Sequence, residues 1–426
     1  MLKHLPLPRP ITLGLVVGSG DPTQGGHMRL LASWMALIPA VAALCGGCGG
    51  GGSSATIKKP VSLLDACPAR SPRPSASGSI ASIVDSLVVA EMKAKGLPGM
   101  SIEIAKQGTV IYSQGYGYAD LGSCRTVQAD TEFQIGSLTK QFTAAAVLQM
   151  EKAGVVNLDT AVAQYLPSYA FDQRITVRML LNQTSGLDDY LGFPKPTGWT
   201  NGLLQQTVLT AIVQAPLLFA PGTAYAYSNS NYYVLGAVTE AATGTTYADY
   251  VTSHIFQPAN LTNTSFTQAL TAALPYTYTN PSVAGTTGLA VGIVPDASVF
   301  FSAGNLWSNV HDLAILDMAL RAGTVLPAVQ WTEMTTPPAS VPVFQQSGAS
   351  STYAMGWQAA TVGVHPFVWH NGQTLAYTSF NGMFLDDGWS IAILTNVDIQ
   401  EPTPLLDFAH SVIAGICANA ATTSSC

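Results

Sequence analysis

Strand-like segments stand at both ends of this 426-residue chain and helical ones stand between them, an order that suits few layer architectures. Ile80, Ile83, Val84, Leu87, Val88 and Met92 recur at helical spacing, and Gly96-Leu97-Pro98-Gly99 ends that helix. Residues 100–105 and 110–113 read as strands around the turn Lys106-Gln107-Gly108. Helical patterns follow at 137–152, 177–181, 232–242 and 247–255, and again within 304–322. Strand-like runs return at 354–358, 366–369, 378–385 and 390–394, and a helix over 405–417 closes the chain. The pattern predicts a sheet domain interrupted by a helical one.

Composition narrows the function. Only 10% of the residues are charged, and 17 Lys and Arg against 24 Asp and Glu leave a net charge of −7. A nucleic-acid partner is excluded, because dispersed cations supply no basic patch to neutralise phosphates. Disorder is excluded by the 48% hydrophobic content. Leu30 to Leu44 form an apolar run of fifteen residues, long enough for a signal-peptide core and too short to cross a bilayer. Cys45-Gly46-Gly47-Cys48 and a Gly/Ser tether follow, so export is expected, either by ordinary cleavage or with Cys48 lipidated. Cys67, Cys124, Cys417 and Cys426 remain; none has metal-site spacing, and an even number in an exported chain suits disulfides. The short separation of Cys417 and Cys426 favours that pair, which leaves Cys67 with Cys124.

Three short stretches could carry chemistry. Ser137-Leu138-Thr139-Lys140 opens a predicted helix, with the lysine one turn above the serine on the same face. Serine needs a base to become nucleophilic, and burial would lower the lysine pKa enough to make a neutral amine available. Tyr227-Ser228-Asn229 offers a proton-relaying phenol and an amide that could hold substrate or orient the lysine. Trp369-His370-Asn371-Gly372 ends a strand-like run, with a glycine that permits close approach to the strand edge. Each stretch alone also fits a bland role: a capped helix with an exposed lysine, a tyrosine-rich turn, a hairpin with a half-buried histidine.

As an ordered set, S-x-x-K, Y-x-N and H-x-G resemble the serine β-lactamase and penicillin-binding-protein superfamily, in its branch of class C β-lactamases, DD-carboxypeptidases and related esterases. Phe219-Ala220-Pro221-Gly222, 181–187 and 303–308 look similar to the same family, and the resemblance runs from about residue 80 to 418. It implies an α/β (α+β) fold, an antiparallel sheet flanked by helices with an inserted mainly helical domain. The corresponding boundaries are 1–52 for the signal and tether, 53–79 for a Pro/Ser-rich lead, 80–155 with 291–418 for the sheet domain, 156–290 for the insert and 419–426 for a tail. The resemblance further implies Ser137 as acylated nucleophile and Lys140 with Tyr227 as shared base and acid. Asn229, His370, Gly372 and Gln373 would bind substrate, the amides of Ser137 and Gln373 forming the oxyanion hole. Gln183 stands where relatives often have histidine, and Ala376 where many have glycine; Ser137 is expected at the domain junction, with Tyr190, Phe193, Tyr225 and Trp369 lining the pocket unless they serve the core.

No G-x-S-x-G elbow occurs, and the seven histidines form no H-E-x-x-H pair, so no cofactor or metal is expected. The expected activity is hydrolysis of a small ester, peptide or β-lactam through an acyl-enzyme, with esterase or DD-peptidase-like action favoured. A class C-like β-lactamase ranks lower, because neutral histidine lacks the permanent cation that lysine offers a substrate carboxylate. A non-catalytic cell-envelope binding protein with this fold is the alternative of a different class. The expected location is the periplasm, or a lipid anchor on a bacterial membrane.

Overall fold

The computed structural model describes residue 67 and residues 79–419, apart from 196–197, 280–287, 339–340, 347–351, 400, 402 and 404. Of two units, Met1–Ile57 lies wholly outside the described residues, and Lys58–Cys426 contains everything below. The signal-like segment, the tether, Cys48, most of the Pro/Ser-rich lead and Cys426 therefore lie outside the described residues. Among the described residues no helix is long and apolar enough to cross a membrane.

A seven-stranded antiparallel sheet joins the two halves of the chain. The N-terminal half supplies β1 (Gly99–Lys106), β2 (Thr109–Asp120) and β3 (Arg125–Thr126). The C-terminal half supplies β4 (Gln358–Val362), β5 (His365–Gln373), β6 (Thr378–Phe384) and β7 (Trp389–Thr395). Their spatial order is β3-β2-β1-β7-β6-β5-β4, so β1 pairs with the last strand, from Met100 opposite Thr395 to Lys106 opposite Trp389. Everything from residue 127 to 357 is thus inserted between β3 and β4, the two edge strands, while β1 and β7 meet in the middle of the sheet.

Helices cover both faces. On one face α1 (Ile80–Lys95) packs beside α5 (Leu406–Asn419), and Val84, Val88, Phe408 and Val412 join Ile102, Ile104, Ile391 and Ile393 in one apolar cluster. Ser79 caps α1 by accepting from the Ser82 amide, and Gly96 ends it in the left-handed conformation. The other face carries α4 (Val310–Arg321), behind α2 (Thr139–Lys152) and α3 (Asn229–Thr243). Each fully buried Ile or Leu contributes about 1.5–3 kcal/mol, and the alternation of β1 locks its register. A slip by one residue would turn Ser101 and Glu103 into the apolar side. In the observed register Glu103 accepts from Ser113 Oγ at 2.6 Å and lies 3.0 Å from His311 Nδ1.

The helix expected within 304–322 is Val310–Arg321, begun where Asn309 accepts from the Asp312 amide at 2.8 Å, and two other elements differ from their sequence patterns. Just upstream, Trp307–Ser308 pairs with Phe133–Gln134. The run at 354–358 is mostly a turn; its buried apolar residues pack against other elements, and β4 begins only at Gln358. The strand expected to stop at Trp369 continues to Gln373, so His370 sits in a strand and not in a hairpin turn.

Cys67 and Cys124 form a disulfide across 57 residues, beside the β2–β3 edge. Cys417 is oxidised too, while Cys426 lies outside the described residues. Replacing Cys67 and Cys124 together with serine should lower unfolding free energy by about 2–4 kcal/mol, mainly through loop entropy of the unfolded chain. A urea midpoint unchanged from the parent protein would show that this crosslink does not hold the sheet edge.

Candidate active site

Ser137 stands on a 3-10 turn, Gly136–Leu138, which leads into α2. The turn is pressed against the end of β5. A Cβ on Gly372 would come within 2.1 Å of the Ile135 carbonyl and 2.2 Å of Ser379 Oγ. Ser379 Oγ itself donates to that carbonyl at 2.7 Å. Glycine at 372 therefore lets the strand lie directly against the backbone that presents the serine.

Lys140 is fully buried one turn along, and its amine has three partners. Nζ lies 2.9 Å from Ser137 Oγ, 2.8 Å from Asn229 Oδ1 and 2.7 Å from the Ala303 carbonyl. Burial lowers its pKa to about 7, against the opposing charge of Asp189. Near neutrality about half of the lysines therefore hold the neutral amine, which has two protons and one lone pair. An amide oxygen and a carbonyl can only accept, so both protons are committed to Asn229 and Ala303. The lone pair then faces Ser137.

The Ala303 carbonyl is held by an unusual turn. Phe301 has φ 41°, a strained value for a bulky residue, and Ser302 Oγ donates to the Tyr232 carbonyl on α3 at 2.8 Å. Gly236 on the same helix leaves the space, since a Cβ there would meet Ser302 Oγ at 2.1 Å.

Tyr227 Oη donates to Ser137 Oγ at 2.9 Å, and the side chain is 36% exposed, which places it at the mouth of the site. Desolvation, and then Tyr353 beside it, push the phenol pKa well above its ordinary value, so it carries its proton at neutral pH. Gln183, buried and at φ 60°, clamps the loop: its Oε1 accepts from the Ser228 amide and Asn231 Nδ2, and its carbonyl from the Ala226 amide. That position, where histidine was the family expectation, anchors Tyr227 from below. Ala376, the other departure, is buried against Gly292.

Behind Tyr227 lies an aromatic layer. Its ring is 6.1 Å from that of Tyr353 and 6.0 Å from His370. His370 Nδ1 is 2.6 Å from the Asn371 carbonyl, an acceptor, so Nδ1 carries the hydrogen and Nε2 accepts from Tyr353 Oη at 3.2 Å. Burial, with the nearby Lys140, lowers the His370 pKa to about 3. The imidazole is neutral throughout the working range.

The structure thus brings Ser137, Lys140, Tyr227 and Asn229 into direct contact. Gly372 contributes through its backbone and His370 through the aromatic layer. The Gln373 side chain turns away, donating to the carbonyls of Ile399 and Glu401. Its amide faces outward, because Thr374 N–H bonds Tyr377 across the β5–β6 turn and β4 covers β5 only as far as Trp369. Trp369, expected to line the pocket, instead stacks on Phe380 on the opposite face of the sheet, as alternation from His370 requires. Tyr190 and Tyr225 are mostly buried, the first donating to the Val299 carbonyl. Among the described residues the metal-ligating side chains that cluster are His365, Asp386 and Asp387, at the other end of β5 from Gly372. Ala303 entered the sequence reading only within the family-like stretch 303–308, with no role of its own, and Tyr353 and Asp189 did not enter it. Tyr353 lies outside every spaced motif, and Asp189 is one of two adjacent aspartates with nothing to single it out.

The β-lactamase family profile matches residues 84–412. The chain is 27% identical over 303 residues to PbpX of Bacillus subtilis, named for penicillin binding, which covers 71% of each protein. It is 34% identical over 191 residues to protein flp of Staphylococcus aureus, covering 43% of this chain and 38% of that one. Among solved structures, the octameric penicillin-binding protein homologue of Pyrococcus abyssi superposes with a TM-score of 0.68 at 23% identity, covering 79% of this chain and 77% of that one. The D-amino acid amidase of Ochrobactrum anthropi does so with 0.67 at 23%, covering 80% and 99%. The chain belongs to the β-lactamase family, within the serine β-lactamase and penicillin-binding-protein superfamily, and is a hydrolase of that family.

Gly372→Ala should leave the far-ultraviolet circular dichroism spectrum intact and lower ester hydrolysis about 10²-fold, the usual cost of displacing a reacting group by an ångström. A variant with parental turnover would show that the β5 contact does not position Ser137.

Proposed function

We propose that this protein is a serine acyl hydrolase that cleaves small esters or amides through a covalent acyl-enzyme on Ser137. One observation carries the reading: the Ser137 hydroxyl lies between a buried amine whose protons are already committed and a protonated phenol. Lys140 takes the serine proton as Oγ bonds the substrate carbonyl carbon. Tyr227 passes its proton to the leaving oxygen or nitrogen as that bond breaks, and Lys140 restores it. Water then repeats the sequence on the acyl-enzyme. The amides of Ser137 and Gln373 receive the oxyanion, each such donor contributing about 3 kcal/mol.

The neutral, doubly bonded His370 supports substrates that are uncharged where it lies, since it offers no cation to a carboxylate. That favours an esterase or an amidase over an efficient β-lactamase. The fold likeness to a D-amino acid amidase supports including D-residue amides and DD-peptides among the substrates tested. The Leu30–Leu44 run and the Gly-rich tether support action at the cell envelope.

With p-nitrophenyl butyrate, Ser137→Ala should lose at least about 10⁴-fold in turnover, as loss of an activated nucleophile does. The parent protein should gain the butyryl mass on Ser137. Turnover surviving in Ser137→Ala would end the proposal.

The pH profile follows from Lys140. The reactive form is the neutral amine, so kcat/KM should rise tenfold per pH unit below about 7 and level off above it. His370 adds no limb near 6.5, because it is already neutral there. A profile flat from pH 5 to 8 would remove Lys140 as the base.

A further inference from the structure

An asparagine amide can be placed either way round, and at position 229 the choice decides the chemistry. With Oδ1 toward Lys140, as observed at 2.8 Å, the amide accepts an amine proton and leaves the lysine lone pair to Ser137. With Nδ2 there instead, the amide would donate to that lone pair and Ser137 would lose its base. Nothing on Lys140 enforces the choice, since a neutral amine can both donate and accept.

The group that enforces it is Asp189. Its Oδ2 accepts from Asn229 Nδ2 at 2.8 Å, and a carboxylate can only accept. Its Oδ1 accepts from the Leu191 amide at 3.0 Å, capping the Tyr190–Gly192 turn. That turn is tied to the start of α3, because Ser230 Oγ donates to the Asp188 carbonyl at 2.6 Å and accepts from the Tyr190 amide at 2.9 Å. The titratable groups that face Lys140 are Asp189, Tyr227, Tyr232 and His370. The phenols and the imidazole are neutral at pH 7, which leaves Asp189 as the acidic group of the set; burial raises its pKa, and the donors Leu191 N–H and Asn229 Nδ2 work against that by favouring the carboxylate. Its charge opposes the desolvation of Lys140.

We infer that Asp189 is a positioning residue for acyl transfer: through Asn229 it holds the Lys140 lone pair on Ser137. The inference rests on the reading of Lys140 as the base.

Asp189→Asn keeps the shape but has one acceptor oxygen for two donors, Leu191 N–H and Asn229 Nδ2. Turnover of p-nitrophenyl butyrate should fall about 10- to 100-fold, and the acidic limb should move below pH 7. The Lys140 titration, followed by NMR in lysine-labelled protein, should shift the same way. In an Asn229→Ala background the same change should cost less than about threefold, because the amide it orients is gone. Parental turnover and an unmoved Lys140 titration in Asp189→Asn would overturn the inference, as would full additivity with Asn229→Ala. A loss of turnover without movement of the limb or of the Lys140 titration would reduce Asp189 to a structural cap. Ser137→Ala is assayed in parallel. Turnover retained there would instead overturn the underlying reading, while the NMR titration still reports what Asp189 does to Lys140.

Discussion

A lysine amine buried without a direct carboxylate partner is the constraint on which the rest of this structure depends. Burial disfavours the ammonium, and the amine survives in the interior because Asn229 and Ala303 accept its protons. Those two acceptors come from separate parts of the inserted segment. Asn229 opens α3, and Ala303 ends a strained turn that leans on the same helix through Gly236. The insert is thus organised around one nitrogen, which meets Ser137 Oγ at 2.9 Å.

The sheet supplies the opposite wall. Because β1 pairs with β7, the chain ends close on each other and β5 is carried to the turn that bears Ser137. Gly372 permits contact at backbone distance, and strand alternation sends His370 to the catalytic face and Trp369 to the other. The aromatic layer of Tyr225, Tyr353 and His370 then backs Tyr227 without adding a charge. Asp189 meets Lys140 only across the Asn229 amide.

Much of this was legible in the residues. Helical spacing located α1, apolar strand-like runs located β6 and β7, and the three motifs in order named four side chains that the structure brings together. The misreadings have physical causes. The run over 354–358 read as a strand because a buried irregular segment and a strand share apolar content, and β4 begins only at Gln358. Trp369 was misplaced because which face a strand turns to the site depends on its register with a neighbour, which period alone does not state. Ala303 acts through its carbonyl, and every residue has one, so no side-chain pattern could mark it.

What the sequence by itself determined is the chemistry available: a serine and a lysine one helical turn apart, a tyrosine, and a chain order that interrupts a sheet. Spacing along one helix is local, so Ser137 and Lys140 meet in any fold that keeps that helix. The tertiary structure decided the protonation states and the direction of each hydrogen bond. Those depend on desolvation of Lys140 and His370 and on acceptors from residues 163 and 89 positions away in the chain. Burial and partner geometry are properties of packed neighbours, and only folding brings those neighbours together.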